Sequence, residues 1–169
     1  MKNRIYIQRY QAPCGGLLLG SFGDRLCLCN WTEEKHPGRV DRRLQSLLDA
    51  GYVEEPSDVT QEAARQLDEY FSRCRRAFDM PLLFVGTDFQ KKVWERLMEI
   101  PYGQTVSYGG MAAGLGVPES VRAVANANGA NAISIFAPCH RVIGSDRSLT
   151  GYGGGLEAKQ FLLSLERNP

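Results

Sequence analysis

The chain has 169 residues, and its 43% hydrophobic and 23% charged content is ordinary for a globular protein with one domain or two small ones. Its net charge of +1, from 20 Lys and Arg against 19 Asp and Glu, lacks the basic excess that many nucleic-acid-binding proteins carry. No apolar run approaches the ~20 residues that span a bilayer, and residues 1–6 include no apolar signal region. We therefore expect a cytoplasmic protein that does not enter a membrane.

The N-terminal part of the chain predicts three strands. Residues 4–10 alternate between apolar and polar side chains, with Ile5 and Ile7 on one face. Strands over 17–22 and 25–31 follow, each after a glycine-containing turn. Because the connections are short, the three strands are expected to form an antiparallel meander.

Two helices are predicted after the meander. Gly51 can end the first, and Ser57 gives the second a cap-like opening. Residues 78–85, interrupted by Pro81, are predicted to be a linker or an edge strand. The apolar faces comprise Leu44, Leu47 and Leu48 in the first helix and Ala63, Ala64, Leu67, Tyr70, Phe71 and Cys74 in the second.

A second unit begins with a capping box, in which Thr87 is the N-cap and Gln90 the third helical residue. Further on, Ser107 can cap a short helix, and Pro118 suits the first position of another that runs to about residue 128. A final helix is expected over 156–166. The apolar faces of the first and last of these helices comprise Phe89, Val93, Trp94, Leu97 and Met98, and Leu156, Leu162, Leu163 and Leu165.

Two helices joined by the glycine turn at 114–117 fit a helix-turn-helix, and a plain helical hairpin is the alternative. The second helix is rich in small residues around one long cation, Arg122. Small side chains let a helix approach a groove closely, and a long cation can enter space that a displaced base vacates. Arg122 therefore favours a DNA-binding interpretation.

The run Pro138-Cys139-His140 is the most informative stretch of the chain. Residues 133–136 predict a buried strand, and Pro138 ends it because proline has no N–H to donate. Cys139 is then exposed on a rigid support with a base on the next residue, either in direct contact at a turn or through a water molecule. Glu166 is a candidate to orient the imidazole, and a solvated surface glutamate is the alternative.

The other cysteines raise the question of a metal site. An odd total of five cysteines does not favour a disulfide framework. Cys27 and Cys29 share one strand face, and Cys14 and His36 lie nearby in sequence, but no second pair has ligand spacing. We therefore predict no bound metal and interpret these thiols as small hydrophobic side chains.

The run from Pro138 to Gly144, with residues 126–131 before it and 151–155 after it, resembles the methylated-DNA–protein-cysteine methyltransferases, the O6-alkylguanine-DNA alkyltransferases of DNA repair. The resemblance covers residues 85–166, whereas the first 80 residues match only in their strand-rich plan. It implies an α+β protein. A ribonuclease-H-like antiparallel sheet with helices is expected over 1–82, and a helical, winged-helix-like helix-turn-helix domain over 86–169.

The resemblance also implies roles. Cys139 would accept the alkyl group from O6-alkylguanine in double-stranded DNA, with O4-alkylthymine left open as a second substrate. His140, oriented by Glu166, would activate the thiol through a water molecule. Tyr108 would protonate or hydrogen-bond the flipped base, and Asn131 would brace the turn. The DNA-contacting residues would be Ser120, Arg122, Ala123 and Ala125, and the substrate pocket would include Val142, Tyr152 and Gly153. The protein would act as a monomer without a cofactor.

Two other functions remain as alternatives. The first is a DNA-binding protein that recognises lesions or regulates without transferring the alkyl group. The second is a cysteine hydrolase that uses Cys139, His140 and Glu166 as a triad. A hydrolase has no use for Arg122 in a helix of small residues.

Overall fold

A computed structural model describes residues 3–144, Tyr152 and residues 154–167. These residues have a mixed α+β fold, as expected. The strands are β1 (Asn3–Ala12), β2 (Gly15–Phe22), β3 (Arg25–Trp31), β4 (Ala50–Val53), β5 (Val106–Ser107) and β6 (Val142–Ile143). The helices are α1 (Arg39–Leu48), α2 (Asp58–Phe71), α3 (Asp88–Leu97), α4 (Tyr108–Gly114), α5 (Val121–Gly129) and α6 (Leu156–Arg167).

The main sheet has the strand order β3-β2-β1-β4. The predicted antiparallel meander of β1, β2 and β3 is confirmed. The prediction missed β4, which runs parallel to β1 with Asn3 opposite Ala50. Asp49, with φ 47°, ends α1 before Gly51, and the chain turns directly into this fourth strand. Pairing with a strand far away in sequence thus determines the structure of residues 50–53.

The first two helices bury most of the predicted apolar side chains, with two corrections. Leu47 is exposed, whereas Leu44 is fully buried. Cys74 lies beyond the end of α2 and is exposed, so its assignment to the helix face was wrong. The Ser57 cap is confirmed, and its side chain accepts a hydrogen bond from the backbone N–H of Thr60.

Four helix starts were predicted in the C-terminal half, and three of them, at the Thr87 cap, the Ser107 cap and Leu156, are confirmed. Thr87 and Gln90 form the predicted capping box of α3, and Ser107 caps α4. The predicted start of the next helix at Pro118 was wrong. Residues 118–119 form a turn closed by a hydrogen bond from the N–H of Ser120 to the carbonyl of Val117, and α5 begins at Val121. Two predicted core positions, Met98 and Leu156, are also exposed, because each lies at or beyond a helix end.

Residues 133–136 form a tight turn, so the strand predicted there was wrong. Ile133 makes a single parallel bridge with Cys29 of β3. Ile135 has φ 73°, a left-handed conformation that a continuous strand does not contain. The apolar residues of this segment are buried as predicted, but they turn the chain toward Cys139.

The longest helix within residues 3–144 and 154–167, α2, has 14 residues. None of the helices in these ranges is long and apolar enough to cross a membrane.

Candidate active site and nucleic-acid interface

A turn held by asparagine side chains carries Cys139. Asn131 donates from Nδ2 to the carbonyl of Ala137 at 2.9 Å, and its Oδ1 accepts from the N–H of Ile133 at 3.0 Å. Asn128 donates to the carbonyl of Cys139 itself at 3.3 Å. The backbone then makes a single 3-10 turn at Cys139–Arg141. These bonds fix Cys139 between α5 and β6.

The thiol of Cys139 is buried, and burial raises its pKa. Hydrogen-bonding contacts with the side chains of Asn131 and Ser134 oppose that increase, and so does the positive charge of Lys159. The environment therefore supplies partners that favour the thiolate, although the thiol is protonated at rest. A base is still needed to remove its proton.

His140 is fully buried, and its Nε2 lies 2.7 Å from Oε2 of Glu166. Burial lowers the pKa of the imidazole more than the carboxylate raises it, so the ring is neutral at neutral pH. Because the ionised carboxylate can only accept, Nε2 carries the proton and Nδ1 is left as an acceptor. Nδ1 is buried and has no hydrogen-bond partner among the described residues. This is the protonation state of a general base.

Glu166 lies in the last turn of α6 with only 4% of its surface exposed, which rules out the solvated alternative. Arg141 donates to it twice, from Nε at 2.8 Å and from Nη2 at 3.0 Å. The N–H of Gly103 and the hydroxyl of Tyr70 complete its surroundings, at 3.3 and 2.6 Å. Burial would raise the pKa of Glu166, but the hydrogen bonds from His140 and Arg141 outweigh it and hold that pKa well below its usual range.

Tyr108 is the first residue of α4 and is buried at the same site. Burial raises the pKa of its phenol to about 12, against a smaller opposing effect of a hydrogen bond with Asn128. The hydroxyl therefore keeps its proton at neutral pH and can act as a hydrogen-bond donor. Asn128 connects Tyr108 to the carbonyl of Cys139.

Two of the three predicted pocket residues, Val142 and Tyr152, belong to the part of the chain that the structure describes. Val142 is buried, and its carbonyl accepts from Nζ of Lys159 at 2.6 Å. Burial lowers the pKa of that ammonium group to about 8. Tyr152 is buried against Trp31, whose indole N–H donates to its hydroxyl at 3.1 Å. Gly153 lies outside the described residues.

A narrow cleft, with a cavity volume of only about 30 Å³, is lined by Cys139 at its inner end. One wall is the segment after β3, which includes Lys35, His36 and Arg39, and the other is the end of α5 around Gly129. The cleft therefore joins the Cys139 thiol to the C-terminal end of α5, the helix that the sequence assigns to DNA.

The outer face of α5 has the predicted small-residue character. Arg122 and Ala123 are exposed, and Ser120 and Ala125 are partly exposed. Val124 and Ala127 are buried on the opposite side of the helix. Arg122 therefore projects from a flat face with little to shield it.

The described residues contain no group of three or more His, Cys, Asp or Glu side chains placed to hold a metal ion. Cys27 and Cys29 are buried in β3, and Cys14 is half-buried in the turn before β2. The structure brings together Cys139, His140, Glu166, Tyr108 and Asn131.

Sequence reasoning assigned no role to several residues that contact this set, among them Tyr70, Asn128, Ser134, Arg141 and Lys159. Asn128 and Arg141 lie within the motifs of the resemblance, so their positions were a signal that could have been used. Tyr70 and Lys159 carried no such signal.

Comparisons with known proteins agree with this geometry. Residues 88–168 match the family described as "6-O-methylguanine DNA methyltransferase, DNA binding domain". The chain is 43% identical to the methylated-DNA–protein-cysteine methyltransferase of Methanosarcina barkeri over 164 residues, which cover 97% of this chain and 98% of the relative. The chain belongs to the methylated-DNA–protein-cysteine methyltransferase family.

Other members extend the match. The constitutive methylated-DNA–protein-cysteine methyltransferase of Bacillus subtilis is 42% identical, with 96% of this chain and 95% of the relative covered. A crystal structure of Mycobacterium tuberculosis OGT in complex with DNA has a TM-score of 0.81 and 38% identity, with 97% of this chain and 92% of that chain covered. The family predicted from the residues around Cys139 is confirmed, and membership of a methyltransferase family argues against the hydrolase alternative.

Proposed function

We propose that this protein repairs DNA by transferring the alkyl group from O6 of guanine to Sγ of Cys139. The observation that carries the proposal is the arrangement of the buried Cys139 thiol, the neutral His140 and the ionised Glu166 at the end of a cleft that leads to α5. Membership of the methyltransferase family gives the same reaction class.

The reaction needs one proton transfer and one displacement. The thiol proton passes through a water molecule to Nδ1 of His140, and the imidazolium that forms is stabilised by Glu166. Sγ then attacks the alkyl carbon, and the electron pair of the carbon–oxygen bond remains with the guanine. Tyr108 donates a hydrogen bond to N3 of the departing base, for which its raised pKa suits it. Asn131 keeps the turn in place.

DNA binding is assigned to α5. Its face of Ser120, Ala123 and Ala125 allows close approach to a groove, and Arg122 fills the stack when the damaged nucleotide rotates outward. Flipping a base costs a few kcal/mol, and a side chain that replaces the base offsets part of that cost. Val142, Tyr152 and Gly153 are proposed to border the flipped base.

The product of the transfer is a thioether, which has no carbonyl for water to attack and a very poor leaving group. Each molecule is therefore expected to react once. Duplex DNA that contains O6-methylguanine should convert Cys139 to S-methylcysteine, as measured by intact mass and peptide mapping. Cys139→Ala should abolish transfer while retaining DNA affinity. Repair of many lesions per molecule, with Cys139 recovered unmodified, would contradict the proposal.

Arg122→Ala tests the base-flipping role separately from the chemistry. We expect a strong loss of repair on duplex DNA and nearly unchanged reaction with free O6-benzylguanine, because only the duplex requires flipping. Glu119→Ala, which removes another exposed charge just before α5, is the matched control. Equal losses of both reactions in Arg122→Ala would contradict the role.

We also infer finer features of the fold. Residues 1–82 are proposed to be a ribonuclease-H-like domain, supported by the sheet order β3-β2-β1-β4 with β4 parallel to β1. Residues 86–169 are proposed to be a winged-helix-like DNA-binding domain, supported by α4 and α5 and the pairing of β5 with β6. Since one chain supplies all the site residues, a monomer is proposed to be the active species. Sedimentation of the protein with and without DNA would test that stoichiometry.

A further inference from the structure

Among the described residues, the carboxylate of Glu166 has one hydrogen-bond donor from the N-terminal half of the chain. His140, Arg141 and Gly103 all belong to the C-terminal half, whereas Tyr70 comes from α2, 96 positions away in the sequence. The Tyr70 hydroxyl lies 2.6 Å from Oε2, the same oxygen that His140 contacts at 2.7 Å. Oε2 of Glu166, the oxygen that orients the His140 imidazole, therefore also accepts a hydrogen bond from Tyr70 of the N-terminal half.

The direction of this hydrogen bond is fixed by the surrounding charges. Glu166 is ionised because His140 and Arg141 hold its pKa low, so the Tyr70 hydroxyl must be the donor. Burial raises the pKa of Tyr70, and the charge of Glu166 raises it further, so the hydroxyl does not lose its proton. Tyr70 thus withdraws part of the charge that Oε2 would otherwise offer to the imidazole.

Aromatic packing holds Tyr70 in place. The residue is fully buried, and its ring centroid lies 5.3 Å from that of Phe78 and 6.3 Å from that of Tyr102. The guanidinium of Arg141 lies over the Tyr102 ring at 5.7 Å. Because these rings restrict the Tyr70 side chain, its hydroxyl can hold a carboxylate oxygen in one position through a single hydrogen bond.

We propose that Tyr70 is a positioning residue through which the N-terminal half holds Glu166 and adjusts the basicity of His140. The proposal rests on the proposed function, because it assigns His140 the task of activating Cys139. Docking of α2 against α6 then becomes a requirement for a reactive thiol. The other charged groups that face His140 are Glu166, Arg141 and Lys159, and all of them belong to the C-terminal half.

Tyr70→Phe tests this role because it removes the hydroxyl and keeps the ring. Without the shared hydrogen bond, Oε2 interacts more strongly with His140, which is then protonated at higher pH. We expect the rate of Cys139 modification to fall about tenfold at neutral pH, because Glu166 is no longer held where it orients the imidazole. The acid limb of the pH–rate profile should move to higher pH.

Tyr52→Phe is the matched control. Its hydroxyl also donates to a carboxylate, Oδ1 of Asp41 at 2.6 Å, within the N-terminal half and away from Glu166. The rate and profile of this variant should stay within about twofold of the parent protein. Thermal unfolding of both variants would show how much stability each hydrogen bond contributes, and a purely structural Tyr70 would change stability without moving the profile.

Two reagents separate this inference from the proposed function. Iodoacetamide, with modification of Cys139 followed by peptide mass spectrometry, reports thiol activation alone, and O6-benzylguanine reports alkyl transfer. A Tyr70→Phe effect with iodoacetamide supports the inference even if O6-benzylguanine does not react, in which case the proposed function fails instead. An unmoved acid limb, or equal effects in both variants, would overturn the inference.

A second substitution keeps the test decisive if Tyr70→Phe does not fold. Incorporation of 3-fluorotyrosine at position 70 keeps the shape of the side chain and makes the hydroxyl a stronger donor. The acid limb should then move to lower pH, opposite to the shift in Tyr70→Phe. A limb that stays in place in this folded protein would also overturn the inference.

Discussion

Replacing Glu166 by glutamine is the most informative single change in this site. Glu166→Gln keeps the size of the side chain but removes the charge that faces Arg141 and His140. The amide keeps one oxygen acceptor, and its NH₂ group faces donors from His140, Arg141 and Tyr70. The Arg141 side chain, only 8% exposed, is left as a buried charge without a counterion.

The magnitude follows from burial. Removing one partner of a buried ion pair costs about 3–5 kcal/mol, against a total stability of about 5–15 kcal/mol for a typical domain. With a urea dependence of about 2 kcal/mol/M, the unfolding midpoint of Glu166→Gln should fall by about 1.5–2.5 M. The variant is therefore expected to be folded but clearly weakened, and activity must be measured on the folded fraction.

Glu62→Gln is the matched control for the hydrogen bonds. Glu62 also accepts twice from one guanidinium, from Nε and Nη2 of Arg65 at 2.8 and 2.6 Å. This pair is exposed, with 54% of the Arg65 and 40% of the Glu62 side chain accessible, so solvent screens it. The urea midpoint of Glu62→Gln should stay close to that of the parent protein, and the difference between the two variants measures the effect of burial.

The chemistry gives an independent measure. General-base catalysis contributes about 10²–10⁴ to a rate, so Glu166→Gln should slow single-turnover alkylation of Cys139 by at least about a hundredfold at pH 7. The pKa of the thiol should rise, since His140 loses its orienting charge. A Glu166→Gln protein with an unchanged urea midpoint and a rate within a few-fold of the parent would refute the reasoning about both the ion pair and the base.

Two further predictions follow from the charges around the thiol. Lys159→Met should raise the pKa of Cys139, because it removes a cation that favours the thiolate, and an unchanged thiol titration would contradict this. Stability should fall on acidification in two stages, measured by urea midpoints. Below pH 6.5 the unfolded state takes up a proton that the buried His140 resists, and below pH 4.5 it takes up one that the paired Glu166 resists. A midpoint that stays constant from pH 7 to pH 4 would contradict both assignments.

The parts of the fold that sequence predicted are those determined by neighbouring residues. Caps at Ser57, Thr87 and Ser107 were predicted correctly, because the cap and the N–H it accepts from are three residues apart. The start of α5 was predicted wrongly, because Pro118 fits the first turn of a helix and an ordinary turn equally well. The strand β4 was missed, because pairing with β1 stabilises it from almost fifty residues away.

The same distinction applies to the site. Cys139 and His140 could be identified from a short run of residues. For Glu166 the residues alone allowed two roles, an orienting partner of the imidazole and a solvated surface side chain. Tyr70 was placed correctly on the apolar face of a helix. The spacing of apolar residues that predicts this face does not indicate which group the tyrosine hydroxyl contacts. The partner of the Tyr70 hydroxyl is determined by contacts between the two halves of the chain, and the periodicity of one helix does not predict such contacts.

Glu166 itself shows how such contacts override a local rule. A carboxylate in the last turn of a helix is disfavoured by the helix dipole by about 0.3–1 kcal/mol. The donors from His140, Arg141 and Tyr70 satisfy the buried carboxylate and offset that cost. Gly103, with φ 80°, adopts a conformation that favours glycine and adds its N–H to the same carboxylate. An anion at an unfavourable helix end is therefore stable here because donors from α2, the loop before β5 and the Cys139 turn converge on it. Any change that separates these elements should therefore alter the orientation and the basicity of His140.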